Sequence, residues 1–177
     1  MMKQLIVLLS FTLGMCVQNV PAQKKEFTEV IRKELEVNNA TESSLVIKNV
    51  FGSIDVEGYS GRTIQIEVKR SIEAENPSDL ELGKAELQLK ITEQPNRVII
   101  RPDAPYIEFD EDKLRYRWCD NSYDLGYEHN LNIKVKVPNT MLIDVSTVNN
   151  GEVLVENTQG RFLKAENING GITLNNI

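Results

Sequence analysis

Histidine and cysteine are nearly missing from this chain of 177 residues: there is one histidine, His129, and two cysteines, Cys16 and Cys119. One histidine excludes HExxH and any multi-histidine metal site. Two distant cysteines exclude a CxxC zinc site. No GxSxG, glycine-rich phosphate loop or dinucleotide fingerprint occurs either. Lys and Arg total 20 against 26 Asp and Glu, a formal net charge of −6. That balance argues against electrostatic binding to nucleic acid or to an anionic membrane. No cofactor is called for, and an enzyme is not expected.

Long apolar runs are also missing, apart from one at the start. "LIVLLSFTLGMCV" follows Lys3 and precedes small residues at Val20 and Ala22. A basic start, a short apolar centre and a small-x-small exit predict a secretory signal over residues 1–22, cleaved after Ala22. A lipoprotein signal using Cys16 is the less favoured reading, because bulky Met15 precedes the cysteine. Removal of 22 from 177 residues leaves 155, the size of a single domain spanning 23–177. A chain of that size buries roughly 70% of its unfolded surface. Export to the periplasm or cell surface follows, with no membrane insertion of the mature chain. Cys119 is then left without an internal disulfide partner, so the core and the backbone ladders must supply stability.

What is present is a repeated grammar. "NVFGSIDVEGYSGRTIQIE" (49–67) aligns with "VNNGEVLVENTQGRFLKAE" (148–166) at an offset of 99, and "INGGITLNNI" follows at a further 19. Ile54 thus matches Val153 and Ile172, and Gly52 matches Gly151 and Gly170. Gly61, Arg62, Ile64 and Glu67 match Gly160, Arg161, Leu163 and Glu166. In each unit aliphatic residues alternate, so one face is apolar. Glycine, often with asparagine, stands where the chain must turn through positive φ. One unit cannot bury its own apolar face, but a stack of them can. The expected fold is all-β, a right-handed β-solenoid or β-roll of glycine-cornered rungs over 43–75 and 130–177. A hairpin and an aromatic-acidic insertion occupy 76–129. A meander of hairpins is the competing architecture. The final "GGITLNNI" reads as the middle of a rung with no closing segment, so C-terminal truncation is expected.

The remaining segments are simpler. "FTEVIRKELEV" is expected to form a first strand. Ser78, with Glu81 three residues later, predicts a helix N-cap and capping box, and Gly83 limits that helix to a turn or two. "ELQLKITEQPNRVIIRP" predicts a hairpin turning at Pro95-Asn96. "LNIKVKVP" predicts a strand stopped by Pro138.

Residues 103–129 hold six of the mature chain's ten aromatics, and eight carboxylates with them. Two readings stay open. Tyr106, Tyr116, Trp118, Tyr123 and Tyr127, with Asp120 and Asp124, can form a ligand-binding loop, since aromatic faces stack on sugars and carboxylates bind hydroxyls. Alternatively the segment is a lid whose aromatics pack as local core. His129 beside Glu128 reads as a surface residue rather than a general base.

The stretches "IKNVFGSIDVEGYSGRTIQIEV" and "IKVKVPNTMLIDVSTVNNGEVLVENTQGRFLKAENINGGITLNNI" resemble the bacterial DUF4097 family of adhesin-like exported domains. The likeness runs from about residue 43 to 177. It implies a toast-rack-like β-solenoid, no catalytic residues, and attachment or scaffolding at the cell envelope. Similar proteins usually carry more rungs, and the aromatic-acidic segment is larger here. The implied partner is a cell-surface glycan or an envelope protein. The alternative function is a carbohydrate- or peptidoglycan-binding module using the aromatics of 106–127.

Overall fold

The computed structural model describes residues 24–110, 113–117 and 125–177. The predicted signal segment and Cys119 lie outside them. The described chain is mostly β, with one helix and mixed sheets. Alternation sets the strands. In β2 (Ser44–Lys48) and β3 (Ile54–Tyr59), Leu45, Ile47, Ile54 and Val56 point inward and are fully buried. The same pattern runs through β10 (Leu142–Thr147) and β11 (Val153–Glu156), then β12 (Leu163–Asn167) and β13 (Ile172–Asn175).

These pairs form two facing ladders. β3, β11 and β13 run parallel in register, with Ile54 beside Val153 and Val153 beside Ile172. The offsets of 99 and 19 read from the sequence are therefore physical neighbours across a sheet. In the facing sheet, Leu45, Ile143 and Leu163 align in the same way on β2, β10 and β12. Before this series stand β6 (Arg97–Asp103), parallel to β2, and β9 (Tyr127–Pro138), parallel to β3. The apolar faces meet in one core that contains Leu45, Ile47, Ile54, Ile133, Val145 and Val153. Ile172 and Leu174 occupy inward ladder positions but are 43% and 48% exposed, because β13 is an edge strand.

Antiparallel strands flank the ladders. β4 (Thr63–Ala74) pairs antiparallel with β9, and β1 (Lys25–Glu36) with β4. β5 (Gln88–Gln94) pairs with β6 as the expected hairpin. The return strand β6 then joins the parallel ladder instead of standing apart as an insertion. The second half of the sequence repeat does not survive either. Ile64 lies on β4 in one sheet, and its match Leu163 lies on β12 in the other. The chain doubles back after Gly61 but crosses to the facing sheet after Gly160, and alternating patterns alone do not distinguish those two paths.

The expected positive φ holds at one corner glycine and fails at two. Positive φ is carried by Gly52 (117°) and by Asn150 (57°), not by Gly151 or Gly170. Those two are small because the adjacent backbone passes too close. A Cβ on Gly151 would lie 2.2 Å from the Gly52 carbonyl carbon, and one on Gly170 would lie 2.1 Å from the Gly151 oxygen. Beside this column, polar side chains bind the corner carbonyls. Asn49 Nδ2 donates to Leu131 O at 2.8 Å, Thr147 Oγ1 to Gly52 O at 2.9 Å, and Asn167 Nδ2 to Gly151 O at 3.0 Å.

Helix α1 (Pro77–Glu86) begins two residues earlier than the capping-box reading places it. Asn76 is the N-cap, its side chain accepting from Asp79 N–H at 2.9 Å. Proline needs no N–H partner at the first helical position, so the cap falls before it. Gly83 does not end the helix. It faces the sheet, where a Cβ would come within 2.8 Å of Ile72 Cγ2 and Tyr127 Cδ2, so it permits close docking of α1.

Two glycines about one repeat apart, Gly151 and Gly171, test this account. Gly151→Ala is expected to destabilise the protein by about 1–3 kcal/mol through overpacking. Gly171→Ala, whose added Cβ finds nothing closer than Glu152 Oε1 at 3.9 Å, is expected to change stability by less than about 0.5 kcal/mol. Urea denaturation of both variants measures the contrast, and equal effects would remove the close-approach explanation.

Candidate functional site

The aromatic-acidic segment folds back as a hairpin of β7 (Ile107–Asp110) and β8 (Lys113–Tyr116), with Ile107 opposite Tyr116 and Phe109 opposite Leu114. Four of the seven residues singled out from the sequence, Trp118, Asp120, Tyr123 and Asp124, lie outside the described residues. The other three converge. Tyr106 and Tyr127 are buried, and Tyr116 is half-buried. Tyr127 donates from its hydroxyl to Glu86 Oε2 at 3.0 Å, and the Tyr106 and Tyr127 hydroxyls are 3.1 Å apart.

His129 completes the cluster. Its ring stacks nearly parallel to Tyr116 at 6.1 Å, and Phe51 approaches edge-on at 5.2 Å. The Tyr116 hydroxyl is 3.3 Å from His129 Nε2. Such ring pairs are worth about 0.5–1.5 kcal/mol each beyond the area they bury. The three described tyrosines therefore pack as local core and use their faces on one another. The surface reading of His129 is corrected: it is only 9% exposed. The signal was present in β9, where Tyr127, His129, Leu131 and Ile133 hold alternate positions facing inward.

Burial sets the ionisation of this cluster. Desolvation lowers the His129 pKa to about 4 and raises that of Tyr106 to about 12. It also raises Tyr116 and Tyr127, the latter helped by the Tyr106 hydroxyl and Glu86. All four groups are neutral at pH 7, beside the Glu86 carboxylate that accepts from Tyr127.

The solvent side of the same sheet is polar. Outward positions of neighbouring strands form cross-strand rows. One is Glu26, Glu73 and Glu128, another Thr28, Ser71 and Asn130, and a third Arg32, Glu67, Lys134 and Asp55. Lys24 pairs with Glu128 at 2.8 Å and relieves the all-acidic row. A cleft of about 970 Å³ lies over the first rows, lined by Ser71, Glu73, Glu128, Asn130 and Asn132 and reaching α1 at Asp79. A second, of about 700 Å³, lies over the charged rows. Among the described residues, no three His, Cys, Asp or Glu side chains are grouped so as to hold a metal ion. No helix among them is long and apolar enough to cross a membrane.

No family model matches the chain, and no curated protein matches it. The DUF4097 resemblance therefore stands on the residues that carry it. Several solved structures are distantly similar. A "putative cell adhesion protein" from Clostridium sporogenes is 8% identical with a TM-score of 0.35, over 86% of this chain and 59% of its own. A "putative adhesin" from Bacteroides fragilis is 14% identical with a TM-score of 0.38, over 82% and 55%. Another from Parabacteroides merdae is 11% identical with a TM-score of 0.37, over 82% and 52%. The chain spans little more than half the length of these proteins, and likeness at this level carries no argument about function.

The buried histidine predicts a pH dependence. The folded pKa lies below the ordinary value of 6.5, so the unfolded chain takes up a proton first as pH falls. Stability from this group is complete above about pH 6.5, declines through the window from 6.5 to 4, and is level below 4. The decline amounts to about 3 kcal/mol. Denaturation of wild type and of His129→Phe across pH 4–7 is expected to show a loss in the wild type that is smaller in the variant by that amount. Identical pH profiles would place the imidazole in solvent.

Proposed function

We propose that this chain is a non-enzymatic, exported cell-envelope protein, an adhesin-like or scaffolding β-solenoid of the DUF4097 kind. The observation that carries the reading is the pair of facing parallel ladders, in register at the repeat offsets. A stack of this type gains surface area rung by rung, which suits attachment over an extended face. The alternative, a carbohydrate- or peptidoglycan-binding module acting through the aromatics of 106–127, draws less support from Tyr106 and Tyr127, whose faces are occupied by neighbours.

Residues 1–22 fused to a reporter active only outside the cytoplasm are expected to export it with cleavage after Ala22. The purified mature chain is expected to co-sediment with isolated envelope fragments without releasing soluble sugar from them. Retention of the reporter in the cytoplasm, or sugar release at turnover rates of an enzyme, would reject the corresponding half of the reading.

A further inference from the structure

The cleft over the charged rows contains an arrangement that the stacking of rungs does not require. Two ion pairs cross strands at its sides, Arg32 Nε to Glu67 Oε2 at 2.8 Å and Lys136 Nζ to Glu57 Oε2 at 2.9 Å. In the same row as the first and next to the second along β9 and β3, Lys134 stands in register with Asp55. Among the described residues, neither Asp55 nor Lys134 closes an ion pair within 4.0 Å. Asp55 is half-buried, and desolvation raises its pKa, with Glu156 and Glu57 adding to the rise and Lys134 opposing it. The cleft around the two residues has a volume of about 700 Å³, within the usual range for small-ligand sites.

The chemistry of the pair selects a ligand. A carboxylate offers only acceptors, and an ammonium offers only donors. Side by side and unclosed, they match a group that presents a donor and an acceptor on adjacent atoms. Neighbouring hydroxyls of a sugar ring do this without bringing a charge of their own. A polyanion would meet Glu34, Asp55, Glu57 and Glu67, and a polycation would meet Arg32, Lys134 and Lys136. An apolar ligand would desolvate all of these charges without replacing their hydrogen bonds. The flanking ion pairs engage Arg32, Glu67, Lys136 and Glu57, and Lys33 is drawn to Glu93, which leaves Asp55 and Lys134 side by side with Glu34 at the cleft's edge.

We propose that this cleft is a saccharide-binding subsite, in which Asp55 accepts from and Lys134 donates to adjacent hydroxyls of a neutral sugar. The assignment rests on the attachment reading and gives it a place and a ligand class. It lies on the outward face of the sheet and does not use the aromatics of 106–127.

The test is a screen of the mature chain against neutral and acidic oligosaccharides, followed by calorimetric titration of the best ligand. Wild type is expected to bind a neutral oligosaccharide, with affinity little changed by added salt, because a neutral ligand releases few counterions. Asp55→Asn and Lys134→Met are each expected to weaken that binding by about tenfold or more. Both side chains face outward, and unchanged melting temperatures verify that the variants are folded. Either variant suffices if the other fails to fold. Binding within twofold of wild type in a folded variant, preference for acidic sugars with steep loss in salt, or no sugar bound at all would each overturn the subsite. If folded variants still co-sediment with envelope fragments, the subsite fails and the attachment reading stands. If wild type does not co-sediment, the attachment reading fails first.

Discussion

Everything in this fold depends on how closely one parallel strand can lie against the next at a corner. Within the strands, backbone hydrogen bonds set the spacing. At the corners the ladder lapses, and neighbouring segments would separate if a side chain intervened. Gly52, Gly151 and Gly170 form a column in which backbone nearly touches backbone. Thr147 and Asn167 bind the corner carbonyls of Gly52 and Gly151, and Asn49 binds the Leu131 carbonyl that faces the Gly52 corner. Burying such groups unpaired costs about 1–3 kcal/mol each, so close approach and side-chain capping have to occur together. With corners held, Ile54, Val153 and Ile172 come into register without any further device.

That constraint divides the molecule into two functional surfaces. Inward positions are committed to the core, and the cluster around His129 extends the same commitment to the hairpin and helix. Around His129 the tyrosine hydroxyls pair with neighbouring side chains, and burial keeps the rings uncharged at pH 7. Outward positions are free of packing demands and carry the charged rows. On those outward rows Asp55 and Lys134 stand in register beside the Arg32–Glu67 and Lys136–Glu57 ion pairs. Exposed pairs of this kind contribute little to stability, generally under about 1 kcal/mol.

A large part of this was legible beforehand. The alternating aliphatics fix which residues face the core, because side chains on a strand change face at every step. The recurrence of Gly-x-Ile/Val-x-Val/Leu at 99 and 19 residues identifies true neighbours, because parallel in-register pairing places like residues beside like. Other features depended on contacts between distant segments. Ile64 and Leu163 share a pattern but lie in different sheets, since alternation specifies a face and says nothing about the direction of the next strand. Gly83 reads as a helix stop, yet it sits inside a helix because Ile72 and Tyr127 leave no room for a methyl group. His129 and Tyr127 look like part of a polar loop until the inward face of β9 is followed two residue pairs back from Leu131. The Asp55 and Lys134 pair is 79 residues apart in the chain and becomes a site only when β3 lies beside β9. Strand content and inward faces are local properties, encoded in neighbouring residues. Sheet assignment, glycine roles and the candidate site depend on which distant backbones meet, and only packing decides that.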